Sequence, residues 1–398
     1  MNRKLHWVPM AAAIAQTLLC TAAIASTPSS STTLEARLRF EQVDDDGFAN
    51  QAEASTLRVR AGHKFAFTPT WSALVELEAT GHLGADDFNS TDNGRTAYPV
   101  VVDPDSTELN QARVDYTPSA TTRVTLGRQR LAYGNHRFVG NVGWRQNEQT
   151  FDAVDTQFSP LEGLTFRYSY LDRVQRIFGE DHRNQNLARW NLNTHLIDLG
   201  YRLGPGQLSG YAHLYDNDTL PLSSHKNFGL RYAAQSAADA QLGWQASIEA
   251  ARQRPYADGA NSNRADYFAV EGGLRWSGNL FTAGVEQLGG DGVYGFQTPL
   301  ATLHAFNGWV DRFLTTPANG LEDRYLGWKR GFGQFSAQLV YHDFRADRGD
   351  ADYGSEWDAS LGWNLSPKWN ALFKYASYDS DGFGASVDKL WLSLEFKL

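Results

Sequence analysis

Basic side chains occur at even spacing in two neighbouring segments near the start of the chain. Arg37 and Arg39 belong to the first segment, and Arg58, Arg60 and Lys64 follow in the second. A guanidinium group donates two parallel hydrogen bonds to one carboxylate, so a row of such groups suits the passage of an anionic, carboxylate-bearing solute. The same residues are also expected in ion pairs that stiffen a β-sheet wall. For any single arginine the two roles remain equally open.

Carboxylates follow these basic segments. Glu76 and Glu78 occupy the next segment, where they are placed to hold the arginines in position. Further charged residues complete the candidate pore lining: Arg113, Asp115, Arg123, Arg128, Arg130, Arg145, Arg167 and Arg231. Acidic and basic residues are nearly balanced on the polar face of the segments, so a count alone does not set the sign of the preferred ion.

Arg128 and Arg130 depart from the pattern, because they share parity with the apolar residues Val124 and Leu126. An arginine at the centre of a lipid-facing strand costs about 2–4 kcal/mol. We therefore favour a bulge at Gly127 that turns both arginines inward. The alternative is that the strand has already left the membrane at this point.

The elements that position these residues are strands with one apolar and one polar face. Leu34, Ala36, Leu38 and Phe40 are apolar, and the residues between them are charged. Successive side chains of a strand point to opposite faces, and the alternation recurs along the chain without helical segments to supply a second layer. This pattern is typical of a closed membrane barrel, with lipid outside and water inside.

Short turns alternate with long polar loops. Turns are expected near 68–70, 117–119, 160–163, 204–206, 236–239, 277–279, 330–333 and 366–368. Eight turns interleaved with nine loops predict an all-β fold, a transmembrane antiparallel β-barrel of about 18 strands with short periplasmic turns and long extracellular loops. A barrel of that size encloses an aqueous channel.

The N-terminus predicts export. A positively charged start precedes an apolar stretch, and Ala23-Ile24-Ala25 is a small-residue cleavage site. We predict that residues 1–25 are a Sec signal peptide and that 26–398 form the barrel, in the outer membrane of a Gram-negative cell. The only cysteine, Cys20, lies in the first segment, so no disulfide or thiol chemistry is expected in the mature chain.

The composition of the chain limits the kinds of partner that we expect. Aromatic residues make up 13% of the chain, which suits aromatic girdles, and the net charge of −9 argues against nucleic acid binding. We expect contacts with outer-membrane lipid and lipopolysaccharide, with the outer-membrane assembly machinery, and with an anionic saccharide or small anionic solute. We predict a monomer with no cofactor and no metal. The acidic clusters of the loops are expected to be solvated, with a bound cation as the alternative.

Two stretches resemble the alginate export family of outer-membrane proteins. The first is Gly127-Arg128-Gln129-Arg130 followed by RFVGNVGWRQNEQTFD at 137–152, and the second is FQTPL at 296–300 through WVDRFLTTPANG at 309–320. The resemblance implies an 18-stranded monomeric barrel whose narrow, arginine-rich pore conducts a polyuronate, and it supports Arg128 and Arg130 as lumen residues. Many members of this family look like generic porins. We therefore expect a channel that passes anionic solutes by passive diffusion, with an oligosaccharide such as alginate among the candidates.

The loop over 289–322 contains a helical pattern. Thr298 and Pro299 suit a helix start, and apolar residues follow at helical spacing: Leu303, Phe306, Val310 and Phe313. We predict a short amphipathic helix, which either folds into the mouth of the barrel as a lid or packs on its rim. Whether this loop and the loop over 132–150 gate the pore is left open.

Two other functions remain as alternatives. An outer-membrane enzyme such as a lipase or deacylase would need a catalytic histidine, and the candidates are His63, His82, His136, His213, His304 and His342. No serine, histidine and acid grouping at a familiar spacing accompanies them, so we predict that the protein is not an enzyme. The second alternative is a protein that binds surface ligands through its loops.

Overall fold

The computed structural model describes residues 30–237 and 241–398, in which 18 antiparallel strands form one closed sheet. Each strand pairs with its neighbours in sequence, and β1 pairs with β18 to close the barrel. The strands are β1 Ser31–Asp45, β2 Ala52–Ala66, β3 Trp71–Asp87, β4 Ser106–Ser119, β5 Thr122–Gln129, β6 Thr150–Leu161, β7 Leu164–Gln175, β8 Arg189–Leu203, β9 Gly206–Tyr215, β10 His225–Gln235, β11 Leu242–Pro255, β12 Ala265–Trp276, β13 Asn279–Leu288, β14 Leu321–Phe332, β15 Phe335–Arg345, β16 Asp352–Ser366, β17 Trp369–Ser380 and β18 Val387–Lys397. The predicted all-β barrel of about 18 strands is confirmed.

Helical structure is minor in this part of the chain. One short α-helix, α1 (Gln185–Ala188), and single 3-10 turns at Pro221–Ser223 and Leu303–Ala305 lie in the loops. None of the helices in the described segments is both long enough and apolar enough to cross a bilayer. The predicted signal peptide over 1–25 lies outside the described residues, as does Cys20.

The alternation of apolar and polar side chains along each strand explains the barrel. On β12 the side chains of Phe268, Val270 and Leu274 lie on the outer surface with 38%, 41% and 55% exposure, whereas Tyr267, which has the opposite parity, is buried inside. Apolar residues on the outside and polar residues inside are stable only where hydrocarbon surrounds the sheet. Period-two patterning therefore fixes which face of each strand lines the lumen.

The predicted short turns join strands at one end of the barrel, which we call the turn end, and the opposite end is the loop end. Between β12 and β13 a two-residue connection is made by Ser277 (φ 47°) and Gly278 (φ 77°). Positive φ at both central residues is the geometry whose twist matches paired antiparallel strands, and glycine adopts it without a Cβ clash. Part of the predicted turn at 236–239 lies outside the described residues.

Two long loops fold into the lumen from the loop end. We call residues 130–149, between β5 and β6, together with 289–320, between β13 and β14, the lumen plug. The helix predicted over 298–313 is wrong, since only Leu303–Ala305 forms a single 3-10 turn. The backbone then turns at Asn307, Gly308 and Asp311, whose φ angles of 56°, 83° and 64° are incompatible with a right-handed helix.

The two halves of the plug bind each other. Gly140 N donates to Leu300 O at 2.9 Å, and Thr302 N donates to His136 O at 3.1 Å. The ring of Phe138 packs edge-on against Phe296 at 5.9 Å between centroids. The core of the protein therefore lies inside the barrel at the loop end, where the plug meets the inner wall.

Candidate functional site

Arg37 and Arg39 on β1 lie beneath the lumen plug. The Arg37 guanidinium donates to Gln146 Oε1 at 2.8 Å and to Gly143 O at 3.2 Å, and it also contacts Arg145 O. Arg39 donates to Trp144 O at 2.5 Å and lies over the Trp144 ring at 4.2 Å. Both side chains are therefore used to hold the loop over 130–149 against β1.

Arg58 and Arg60 on β2 are also buried, and carboxylates neutralise them. Arg58 contacts Glu395 at 3.2 Å and Glu35 at 3.5 Å, while Arg60 contacts Glu78 directly and lies 3.4 Å from Glu148 of the plug. Glu78 is fully buried, which suits a carboxylate that holds an arginine.

Lys64 completes the first basic row and differs from the other four residues. It lies near the turn end of β2, is exposed, and has no ion-pair partner among the described residues. A cation that is open to water and unpaired interacts with a passing anion without first breaking a bond. Lys64 is therefore the most accessible cation of the row.

Arg113 and Arg123 extend this accessible charge across β4 and β5. Their side chains are 22% and 43% exposed, and both contact Asp115, at 3.6 Å and 2.7 Å, which is itself only 5% exposed. Thr125 also donates to this carboxylate at 2.8 Å. The carboxylate thus lies behind the two guanidinium groups and orients them, so the surface that faces the lumen is positive.

Glu76, Arg130 and Glu148 form a cluster where the plug begins. Arg130 bonds to Glu76 at 2.6 Å and to Glu148 at 2.5 Å, and Asn110 donates to both carboxylates at 2.7 Å. Burial alone would raise the pKa of the Glu148 carboxyl, but Arg60 and Arg130 outweigh that effect and lower it. Glu148 therefore stays charged and ties the plug to β2 and β4.

Arg128 does not join this cluster. It bonds to Asp152 on β6 at 2.8 Å and to Leu109 O at 3.0 Å. The predicted bulge at Gly127 is wrong, because Gly127 pairs with Arg113 and Arg128 with Ala112 in unbroken register. Arg130 reaches the lumen for a different reason, since β5 ends one residue before it.

Arg145 connects the two halves of the plug to β1. Its guanidinium contacts Glu41 at 3.2 Å and Asp311 at 3.0 Å, and all three side chains are buried. Burial opposes the charged form of Arg145, yet the two carboxylates raise its pKa above the usual value. The ion triplet therefore holds the halves of the plug together.

His304 extends the triplet toward β17. Its Nδ1 lies 2.8 Å from Asp311, its Nε2 lies 2.6 Å from Lys374 Nζ, and its ring stacks on Trp144 at 4.5 Å. Burial lowers the pKa of the imidazole to about 3, so the ring is neutral. A neutral ring with its hydrogen on Nδ1 donates to Asp311 and accepts from the Lys374 ammonium, which satisfies both contacts.

Arg167 and Arg231 lie on the opposite part of the wall and border a cavity of about 1230 Å³ at the turn end of β6–β12. Arg167 bonds to Asp155 at 2.8 Å and Arg231 to Glu249 at 3.2 Å. Their side chains are 23% and 25% exposed. The candidate residues are thus divided between two environments, one covered by the plug and one open to this cavity.

Sequence reasoning missed the residues that anchor the plug. Arg137 is buried and binds Glu286 at 2.5 Å, Thr298 at 3.1 Å and Asn307 at 3.0 Å. Asp103, from the loop after β3, receives the backbone N–H of Gln146 at 2.8 Å. The sequence signal was present, since the loops over 132–150 and 289–322 are long, but their length does not reveal whether they fold inward.

The histidine candidates do not form a hydrolase site. Four of them pair with aspartates: His82 with Asp105 at 3.1 Å, His213 with Asp198 at 3.0 Å, His304 with Asp311 at 2.8 Å and His342 with Asp323 at 2.8 Å. In two pairs the other ring nitrogen faces a charged group, Lys374 Nζ or the Asp358 carboxylate, and the His213 Nδ1 atom has no hydrogen-bond partner among the described residues. His82 Nε2 lies 3.1 Å from Asp103 O. None of these four rings therefore contacts a serine hydroxyl of the described residues.

Comparisons with known proteins identify the fold. The sequence model of the family described as alginate export matches residues 29–293, more than half of the chain. OccAB2 of Acinetobacter baumannii superposes with a TM-score of 0.73 at 15% identity over 93% of this chain and 98% of its own. OpdL of Pseudomonas aeruginosa superposes with a TM-score of 0.71 at 17% identity over 94% and 99%.

OpdK of Pseudomonas aeruginosa, in a structure with vanillate, superposes with a TM-score of 0.71 at 15% identity over 93% of this chain and 98% of its own. At such identities the resemblance concerns the barrel fold, which is that of outer-membrane porins. No curated protein matches the chain.

Proposed function

The chain belongs to the alginate export family, whose barrels are outer-membrane channels, and on that premise we propose that it passes anionic, carboxylate-bearing solutes by passive diffusion. The observation that carries the proposal is the row of accessible cations on β2, β4 and β5. Lys64, Arg113 and Arg123 are open to the lumen, whereas Asp115, the carboxylate partner of the two arginines, is buried behind them. A solute in the lumen therefore meets positive charge first.

Electrostatics of the opposite wall supports the same direction of selectivity. The inner faces of β13, β14 and β16 bear Glu286, Asp323, Glu356 and Asp358, all buried. Glu286 is paired with Arg137 and Asp323 with His342, so these buried carboxylates present no free group to bind a cation from the lumen.

The proposed class of solute, carboxylate-bearing anions, agrees with two of the comparisons. The family model is described as alginate export, and alginate is a polymer of carboxylate-bearing sugars. OpdK, of the same barrel fold, has been solved with vanillate, a small aromatic carboxylate. A single chain closes the barrel, so we propose a monomeric pore.

Planar-bilayer electrophysiology tests this proposal. In a KCl gradient the wild-type channel should give a reversal potential that favours Cl⁻. The triple variant Lys64→Gln, Arg113→Gln and Arg123→Gln should lower the Cl⁻/K⁺ permeability ratio several-fold, because it removes the accessible cations but leaves amides to bond Asp115. A K⁺ preference of the wild type, or an unchanged ratio in the variant, would contradict the proposal.

The matched control removes three cations from the loop end. Arg252, Arg254 and Arg264 lie at or beside the loop between β11 and β12, and Arg252 and Arg254 share Asp266 as a partner. The variant Arg252→Gln, Arg254→Gln and Arg264→Gln changes the net charge by the same amount. It should leave the permeability ratio close to that of the wild type.

A further inference from the structure

The cavity at the turn end of β6–β12 is lined differently from the rest of the lumen. Its volume of about 1230 Å³ exceeds that of pockets that hold drug-sized ligands. The wall is formed by inward residues of the strands, and Tyr133, Asn135 and Phe138 of the plug lie over it. A recess of this size has room for a sugar of two rings.

Charges in this cavity are already paired. Arg231 bonds to Glu249 at 3.2 Å, and the Tyr211 hydroxyl donates to the same carboxylate at 2.8 Å. His213 lies 3.0 Å from Asp198. These bonds leave the neutral side chains of the wall as the groups that bind a ligand without breaking an existing contact.

Neutral polar groups in the same wall are free. Gln207, Ser209 and Ser247 line the cavity, and their side chains have no hydrogen-bond partner among the described residues. In the sheet register Ala233 of β10 pairs with Gln207 of β9 on one side and with Ser247 of β11 on the other. The Gln207 amide also lies over Gly200 of β8. Amide and hydroxyl groups both donate and accept hydrogen bonds, as the hydroxyls of a sugar require.

An aromatic ring lies beside these groups. Tyr211 extends across the wall over Gly229 of β10, where any Cβ would collide with the ring, and Glu249 holds its hydroxyl. The small residue therefore lets the tyrosine lie along the wall rather than across the cavity. An aromatic surface next to free amides and hydroxyls matches a pyranose, which has apolar C–H faces and a rim of hydroxyls.

We propose that this cavity is a binding site for a neutral, hydroxyl-rich ring of the pyranose class, held by Gln207, Ser209 and Ser247 beside Tyr211. The inference rests on the proposed channel function, since the ligand arrives through the lumen. It adds a second kind of recognition to the channel. The cations of β2–β5 attract charge, whereas this site selects for hydroxyls whether or not the solute is charged.

Titration of the full-length channel with cellobiose tests the site. Added on the turn side in a planar bilayer, cellobiose should lower the single-channel current of the wild type in a saturable manner. The variant Gln207→Ala with Ser247→Ala should weaken the apparent affinity about fivefold to tenfold, the effect of losing two hydrogen bonds between neutral groups. The current without sugar and the Cl⁻/K⁺ ratio should remain those of the wild type.

The control uses the same pair of residue types on a part of the inner wall that does not border the cavity. Gln338 and Ser360 are register partners on β15 and β16, and the variant Gln338→Ala with Ser360→Ala should keep the wild-type cellobiose affinity. Equal affinities in the two double variants, or no effect of cellobiose on a conducting wild type, would overturn the site. Calorimetry with cellobiose in detergent gives the same comparison without any conductance.

The two proposals fail in different ways. A reversal potential that favours K⁺ would refute the anion channel and leave cellobiose binding measurable. An anion-selective channel that ignores cellobiose would refute only the sugar site.

Discussion

At the loop end of the lumen, arginines are buried and bonded to the plug, whereas at the turn end they are partly exposed and rest on buried carboxylates. Arg39 is 1% exposed and holds the carbonyl of Trp144. Arg123 is 43% exposed and is held by Asp115. Arginines on the same inner face of the barrel therefore anchor the plug at one end and, under the proposed function, meet the solute at the other.

The difference shows that the bonding partner of an arginine, rather than the residue type itself, determines what the arginine does in the barrel. Where loops fold inward, backbone carbonyls and loop carboxylates replace water around the guanidinium groups, and the cost of their desolvation is met by bonds to the plug. Where no loop covers the wall, a carboxylate on the neighbouring strand orients the cation and water keeps it accessible. The following experiments test the division between the two ends.

The largest expected effect is that of Arg145→Ala. The substitution leaves Glu41 and Asp311 buried without their shared cation, and breaking such a pair costs about 3–5 kcal/mol. We expect a lower free energy of unfolding, proteolysis within 130–149, and a larger single-channel conductance as the plug leaves the lumen. Wild-type conductance together with wild-type protease resistance would show that the plug does not depend on this triplet.

A smaller effect is expected from Gly140→Ala, at the contact between the halves of the plug. A Cβ at this position would collide with Thr302 Oγ1 and press on His136. Forcing an extra methyl group into a packed contact costs about 1–3 kcal/mol. The measurement is the free energy of unfolding in urea, and Gly272→Ala on β12 is the control, because a Cβ there meets no atom within 4 Å. Equal losses in both variants would contradict the contact.

The pH dependence of the plug should be moderate. Burial lowers the pKa of His304 to about 3 from its ordinary value of 6.5, so the unfolded chain takes up the proton first. The stabilisation is complete above pH 6.5 and declines as the pH falls from 6.5 toward 3. Protease digestion of the plug should therefore be faster at pH 4.5 than at pH 7.5.

The variant His304→Gln isolates this contribution. It cannot be protonated, so its ratio of digestion rates at the two pH values should be closer to one than that of the wild type. The same ratio in both proteins would assign the pH dependence to other groups.

The smallest effect is expected on the outer loop after β3. Arg95 lies 3.0 Å from Asp86 and 2.8 Å from Asp87, but its side chain is 36% exposed and both carboxylates are more exposed still. Exposed ion pairs contribute about 0–1 kcal/mol. Arg95→Ala should therefore leave the free energy of unfolding within about 1 kcal/mol of the wild type, and a loss as large as that of Arg145→Ala would remove the distinction between covered and open arginines.

The sequence by itself determined the barrel. Alternation such as Leu38, Arg39 and Phe40 is a local property of a strand, and only one closed arrangement gives lipid to one face and water to the other. Turn residues such as Ser277 and Gly278 likewise carry their geometry with them. The strand number, the turns and the inward placement of Arg37, Arg58 and Arg113 follow from such local rules.

Only the tertiary structure decided which inward residues a solute can reach. Arg37 binds Gln146, which is 109 residues away. Gln207 and Ser247 belong to one part of the wall because β10 pairs with both of their strands. Helical spacing over 298–313 failed for the same reason, since contacts with the wall, such as Val310 N to Glu356 at 2.8 Å, stabilise an irregular path. Loop conformation is set by the wall on which the loop packs, and that wall is assembled from strands distant in sequence.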